Sequence, residues 1–273
     1  MFLSEFMNPS QSFKVQLGFT TYNNSVKKKW EVALMDYQAV FQRCELKYLL
    51  TPSQRTALLS LMPAFMKPDE YGRTTIRNVY FDTDSFLLAR RSIEKPVYKE
   101  KLRLRCYGRA EDDKPVFVEL KKKCRDVVYK RRMALPEAQA LRFLAGDALP
   151  EPQTQIGDEI GYFRDHYHPL RPAAFLSYER EAFFALDGGD FRLTLDEKIL
   201  ARREQFDLAS DVWGESLLLP GQTLMELKCS GALPLWITHF LTRQGIAKTS
   251  FSKYGAAYSR LMLDASAGGM LYA

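Results

Sequence analysis

The stretch from Tyr98 to Tyr107 reads Tyr-Lys-Glu-Lys-Leu-Arg-Leu-Arg-Cys-Tyr, and its strict alternation constrains the chain more than any other feature. At the two-residue period of a β-strand, Lys99, Lys101, Arg103 and Arg105 share one face, while Leu102, Leu104 and Cys106 share the other. Four successive cations on one face repel one another unless water or an anion screens them. A single strand of this kind fits an ordinary solvated sheet face. Several in phase point to a polyanion.

The pattern recurs. Residues 41–49 set Arg43, Glu45 and Lys47 against Cys44, Leu46 and Tyr48. Residues 115–123 place Glu119, Lys121 and Lys123 on one face, and residues 127–135 carry Lys130 and Arg132. Residues 175–184 carry Tyr178 and Arg180 in phase; residues 191–196 alternate Arg192, Thr194 and Asp196 with Phe191, Leu193 and Leu195. Residues 223–229 align Glu226 with Lys228, and residues 75–82 complete a set of eight expected strands. Several connections are short, Gly188-Gly189 marks a hairpin, and no strand–helix–strand rhythm is present, so the strands are expected to be antiparallel. Helices are expected after the Thr51 cap with Pro52 at its start, over 85–91 with Asp82 and Thr83 as caps, and from Glu137 to a stop at Gly146. Further helices are expected over 158–167, 233–241 and 254–263. The reading is an α+β fold: an eight-stranded antiparallel β tunnel-barrel with a charged lumen, packed by helices on the outside.

Composition supports a packed domain. Of the 273 residues, 46% are hydrophobic, and Lys plus Arg outnumber Asp plus Glu by 39 to 33. The sequence divides into a loosely ordered extension over 1–37, a tunnel domain over 38–264 and a flexible tail over 265–273. No apolar run approaches the roughly 20 residues of a membrane span, and no secretory signal is evident at the start, so a cytoplasmic location is expected. Cys44, Cys106, Cys124 and Cys229 have no metal-ligand spacing; at least three fall at apolar-phase positions and are expected to be small buried hydrophobes. His166, His168 and His239 form no catalytic constellation. Nucleic acid is disfavoured, since there is no basic recognition helix and no RNA-binding aromatic signature. Nor is there a GxxxxGK[ST] loop, a dinucleotide fingerprint or a kinase motif set. Mixed cations with sparse Glu45, Glu119 and Glu226 suit a wall that meets phosphates and their metal counter-ion.

Taken in order, Arg43-Cys-Glu45-Leu-Lys47-Tyr48, Tyr80-Phe81-Asp82-Thr83, Lys101-Leu-Arg103-Leu-Arg105-Cys-Tyr107 and Phe117-Val-Glu119-Leu-Lys121 form a characteristic series. Lys130-Arg131-Arg132, Tyr178-Glu-Arg180, Glu226-Leu-Lys228 and Ser252-Lys253-Tyr254 continue it. The chain resembles the VTC domain, the polyphosphate polymerase branch of the triphosphate tunnel metalloenzymes. The resemblance implies catalytic roles for Arg103, Arg105, Lys121 and Arg180. It implies phosphate binding by Lys47, Lys101, Lys130, Arg132, Arg192, Lys228 and Lys253. It further implies a Mn2+ or Mg2+ cofactor at Glu226, with Glu119 and Glu45 as weaker candidates, and ATP and inorganic polyphosphate as substrates. The related CYTH branch opens with ExExK, whereas this strand opens with Arg43-x-Glu45-x-Lys47, which counts against a thiamine-triphosphatase-like or cyclase-like role. Two alternatives remain at this point: a triphosphatase in the same tunnel, and a non-catalytic polyphosphate-binding module serving a membrane-protein partner.

Overall fold

The computed structural model describes residues 41–125, 127–149 and 154–263. The expected extension over 1–37 and tail over 265–273 lie outside them. The alternating segments form the strands β1 (Phe41–Leu50), β3 (Thr74–Asp82), β4 (Tyr98–Tyr107), β5 (Val116–Cys124), β6 (Val127–Leu135), β7 (Arg171–Ala185), β8 (Arg192–Arg202) and β10 (Thr223–Cys229). Three short strands, β2 (Met66–Pro68), β9 (Glu215–Ser216) and β11 (Lys248–Thr249), are added to them. Between the strands run α1 (Pro52–Leu61), α2 (Leu87–Glu94), α3 (Glu137–Ala145), α4 (Gln155–His166), α5 (Leu235–Arg243) and α6 (Lys253–Tyr258). A π-helical turn over Ser259–Leu263 follows α6.

All pairings are antiparallel, in the order β7-β3-β4-β5-β6-β1-β10-β8, and β8 pairs back onto β7. The eight long strands therefore run round a tunnel. Its seam is uneven: β6 meets β1 over Phe41–Arg43 alone, after which β11 takes the β1 edge at Lys47 and Tyr48. The result is a tunnel rather than an evenly closed barrel.

The apolar phase of the strands faces outward and is covered by helices. Leu102, Leu104, Val118 and Leu120 pack under Ala140 and Phe143 of α3 and Ile160 and Phe163 of α4. Leu193, Leu195, Met225 and Leu227 pack under Leu58 of α1 and Ile237 and Phe240 of α5. Each fully buried leucine contributes about 2 kcal/mol by its removal from water. Local signals fix the helix starts. Thr51 and Gln54 form a reciprocal capping box before Pro52. Asp82 accepts from the amides of Leu88 and Ala89, and Thr83 from that of Leu87.

The tunnel phase is not charged throughout. Ile76, Tyr178, Ile199 and Leu224, in phase with the lumen charges, cluster with Leu218, Leu49 and Phe251. Tyr80, Leu176 and Ala201 pack against Tyr254, Ala257 and Tyr258 of α6, which thereby covers tunnel-facing residues. Ile199 and Ala201 join this phase because β8 carries an extra residue between its pairings to Ser177 and Glu179, with Lys198 in the left-handed region (φ 46°).

Two sequence expectations are corrected. Only Cys106 and Cys229 are buried; Cys44 and Cys124 are exposed, Cys124 as the last residue of β5. The segment 200–220, where the sequence predicts a charged loop with limited structure, contains the end of β8 and the short β9.

Candidate phosphate tunnel

Alternation on β4, β5 and β6 brings the first group of charges together. Glu119 on β5 lies directly between Arg103 on β4 and Arg132 on β6 in the sheet register. Its side chain has no solvent exposure. Arg103 donates to Glu119 Oε2 through Nε at 2.9 Å and a second guanidinium nitrogen at 2.7 Å. Arg132 Nε donates to Oε1 at 2.7 Å, Lys130 Nζ lies 2.7 Å from the same oxygen, and Arg105 approaches Oε2 at 3.7 Å. Burial alone would raise the Glu119 pKa, yet Lys130, Arg105, Arg103 and Arg132 hold it well below the ordinary carboxylate value. One carboxylate thus fixes four cations.

Tyrosines in phase with the cations fix their geometry further. Arg103 donates to Tyr80 Oη at 3.0 Å, Arg105 to Tyr178 Oη at 2.8 Å and Arg132 to Tyr107 Oη at 2.8 Å. Arg105 Nε also donates to Asn78 Oδ1 at 2.8 Å. These guanidinium groups are held in place before any anion arrives, which is the arrangement that bidentate phosphate recognition requires.

The second group lies across β1, β10, β8 and β7. Glu226 on β10 faces Lys47 in the β1 register and Thr194 in the β8 register. Lys47 lies 3.1 Å from Glu226 Oε1 and Lys253 lies 2.8 Å from the same atom. Lys228 and Arg180 reach Oε2 at 3.2 and 3.4 Å. Arg180 grips Asp196 through two nitrogens at 2.6 and 2.7 Å, and Lys253 Nζ lies 2.5 Å from Asp196 Oδ2. Glu45 pairs with Lys121 at 2.6 Å and with Lys47 at 3.4 Å. Burial works against charge on Lys47, but Glu226 and Glu45 outweigh it and raise its pKa. For Lys253, Asp196 and Glu226 likewise overcome burial. Both lysines are firmly charged.

Lys101 differs from both. Burial is the largest influence, and Lys47, Lys121, Lys99 and Arg103 act in the same direction, holding its pKa well below the ordinary lysine value. Its Nζ donates to Ser252 Oγ at 2.9 Å.

These strands and charges can be compared with known proteins. The family model described as the VTC domain matches residues 42–262. The chain belongs to the VTC domain family. A comparison with curated proteins found no match. Among solved structures, a Bacillus halodurans protein provisionally named an adenylate cyclase is similar at 18% identity, with 79% of this chain and 96% of that chain covered and a TM-score of 0.49. A Hippeastrum protein, provisionally named an adenylyl cyclase and described as having a dominant triphosphatase activity, is similar at 21% identity, with 81% and 97% covered and a TM-score of 0.48. A Pyrococcus horikoshii protein is similar at 10% identity, with 80% and 99% covered and a TM-score of 0.43. At these values the likeness says nothing of activity.

In this VTC domain the expected site residues fall into the two groups just described. Arg103, Arg105, Lys130 and Arg132 gather on Glu119, while Lys47, Arg180, Lys228 and Lys253 gather on Glu226 and Asp196. Lys121 connects the groups through Glu45, and Lys101 stands beside Ser252. Arg192 pairs with Lys228 in register, with its guanidinium 4.5 Å from the centroid of the Phe184 ring, one step beyond the acidic row. The sequence analysis named Asp196, Ser252 and the three positioning tyrosines but gave none of them a role in the site. Asp196 and the tyrosines were legible as in-phase neighbours of cations.

The VTC domain's carboxylates differ in fitness for a divalent ion. Among the described residues, no group of three or more His, Cys, Asp and Glu could hold a metal unaided. A Mg2+-like ion that keeps waters and takes phosphate oxygens needs only one or two carboxylates. Glu226 and Asp196 fit that need, since oxygens of both converge on the single Lys253 ammonium. Thr194, opposite Glu226, adds a buried Oγ1 with no hydrogen-bond partner. Glu119 and Glu226 each have cations on both oxygens, so a metal at either would have to displace one; what favours Glu226 is the second carboxylate, Asp196, that shares Lys253 with it.

Proposed function

We propose that this VTC domain is a metal-dependent polyphosphate polymerase, passing the γ-phosphate of ATP to the terminal oxygen of a growing polyphosphate chain within the tunnel. The observation that carries this reading is the continuity of cations on the lumen face, from Arg132 and Arg105 through Lys121 to Lys47, Arg180 and Lys253, with acidic residues interspersed. A linear phosphate chain needs positive charge along its length, and a phosphoryl group in flight needs it on its equatorial oxygens. Arg103, Arg105 and Arg180 supply bidentate donors already oriented by Glu119, Tyr80, Tyr178 and Asp196. Lys47, Lys121, Lys130 and Lys228 supply point charges, so positioning and electrostatic stabilisation account for the catalysis. Bound Mn2+ or Mg2+, held by Glu226 with Asp196, would draw charge from the phosphate oxygens.

The test is incubation of the full chain with ATP and Mn2+, followed by sizing of the phosphate product. Long chains with ADP support polymerisation. Orthophosphate alone supports a triphosphatase, and tight polyphosphate binding without turnover under any divalent ion supports a binding module.

A further inference from the structure

Ser252 Oγ receives a hydrogen bond from a lumen lysine, Lys101 Nζ, at 2.9 Å. Its Oγ is held from the other side by the Gly255 amide at 3.0 Å. A Cβ on residue 255 would lie 3.1 Å from that Oγ, so glycine there keeps the approach open. The next residue, Lys253, reaches Asp196 and Glu226, which places Ser252 at the border of the charged lumen. Lys101 itself faces Lys121 across β4 and β5 and forms no ion pair with a carboxylate among the described residues, unlike Lys47, Lys121, Lys130, Lys228 and Lys253.

We propose that Ser252 is a phosphoryl acceptor and Lys101 its general base, so that the tunnel transfers the terminal phosphoryl group of a bound triphosphate onto its own Ser252. This rests on the reading of the tunnel as a triphosphate site. In the step, a bond forms between Ser252 Oγ and the terminal phosphorus. The bond from that phosphorus to the bridging oxygen breaks, and the diphosphate half departs with the electron pair. The hydroxyl proton passes to Lys101 Nζ. No oxidant or reductant takes part. Burial and the surrounding cations lower the basicity of Lys101, the direction in which a lysine serving as base to a serine must be shifted. Once the proton has moved, the phosphoserine lies beside an ammonium and within a field of cations that favours it.

The experiment incubates the full chain with Mn2+ and either ATP or inorganic triphosphate, quenches it in acid and maps phosphate by peptide mass spectrometry. Phosphoserine survives acid, whereas a phosphoramidate on a lysine does not. The expected result is acid-stable phosphate at Ser252. Ser252→Asn keeps a capping oxygen for the Gly255 amide but abolishes the label, and Ser252→Thr retains it. Lys101→Met slows labelling by on the order of a hundredfold, the scale of general-base assistance. Triphosphate turnover by the unmodified chain without label at Ser252 overturns this inference and leaves the proposed function standing. Labelling of Lys101→Met at the unmodified rate removes the general-base role. Absence of both turnover and label overturns the two readings together.

Discussion

The ammonium of Lys253 lies 2.8 Å from Glu226 Oε1, occupying the side of the carboxylate that a divalent ion would need. A divalent ion held by Glu226, as proposed, would compete with the lysine for the same oxygen. Lys253→Met is therefore expected to tighten Mn2+ binding on the order of tenfold, which corresponds to the roughly 1.4 kcal/mol value of one charged hydrogen bond. Titration calorimetry checks this, and unchanged or weaker affinity would show that the metal sits elsewhere. Activity is expected to fall in the same variant, because a phosphate contact is lost with the lysine.

Glu119 anchors Arg103, Arg105, Lys130 and Arg132. Glu119→Gln leaves four clustered cations without their anion and is expected to cost about 3 kcal/mol of stability. Inorganic triphosphate should raise the melting temperature of this variant more than that of the unmodified chain, since the added anion replaces the missing one. Equal ligand-induced shifts in thermal melts would contradict the anchoring role.

Glu45, Glu119, Asp196 and Glu226 are all held below their ordinary pKa values, each opposed by burial and carried by neighbouring cations. For carboxylates depressed in the folded state, the stabilisation is complete above the unfolded value and is lost as pH falls toward the folded one. With ordinary values of 4.5 for Glu and 3.8 for Asp, melting temperature is expected to hold from pH 7 to about pH 5 and then decline as acid is added. The decline should be shallower in Glu119→Gln, which has one fewer depressed carboxylate. Melting curves across that range measure both slopes.

Lys121 is partly exposed and bridges the two groups through Glu45. Lys121→Ala is expected to lower ATP turnover on the order of a hundredfold, the scale of losing one stabilising charge in the transition state, with little loss of stability. Full activity in this variant would argue strongly against chemistry in the tunnel.

Asp82 accepts from the Leu88 and Ala89 amides and from Tyr254 Oη at 2.7 Å, so one carboxylate starts α2 and tethers α6. Asp82→Ala is expected to cost about 2–4 kcal/mol, and Tyr254→Phe about 1 kcal/mol. Denaturant unfolding measures both. Because α6 positions Lys253, the stronger variant should also weaken triphosphate binding.

Strands such as β1, β4 and β10 were legible because alternation over seven or more residues leaves little choice of structure or facing. Thr51-Pro52 and Gly146 marked helix ends through local chemistry that acts without tertiary help. The two- and three-residue strands β2, β9 and β11 are too short to carry a period. The extra residue at Lys198 exchanges the facing of everything after it in β8, so counting by twos from Asp196 places Ile199 on the wrong side. The lumen cations were legible from phase. Their partners were not, because Asp196 meets Lys253, and Lys101 meets Ser252, across more than fifty residues of chain. Only the packing of α6 against the tunnel phase creates those pairs.

The position of the charge along the tunnel also decides which anions it can meet. Eleven basic residues expected to act in the tunnel stand against the four carboxylates Glu45, Glu119, Asp196 and Glu226, whereas the entire chain has a net charge of only +6. A tunnel of eight strands leaves an interior only wide enough for side chains or one slender ligand, so a bulky polyanion such as duplex nucleic acid stays outside it, while a slender chain that enters end-on meets the cations in succession. Width, rather than charge, is the filter.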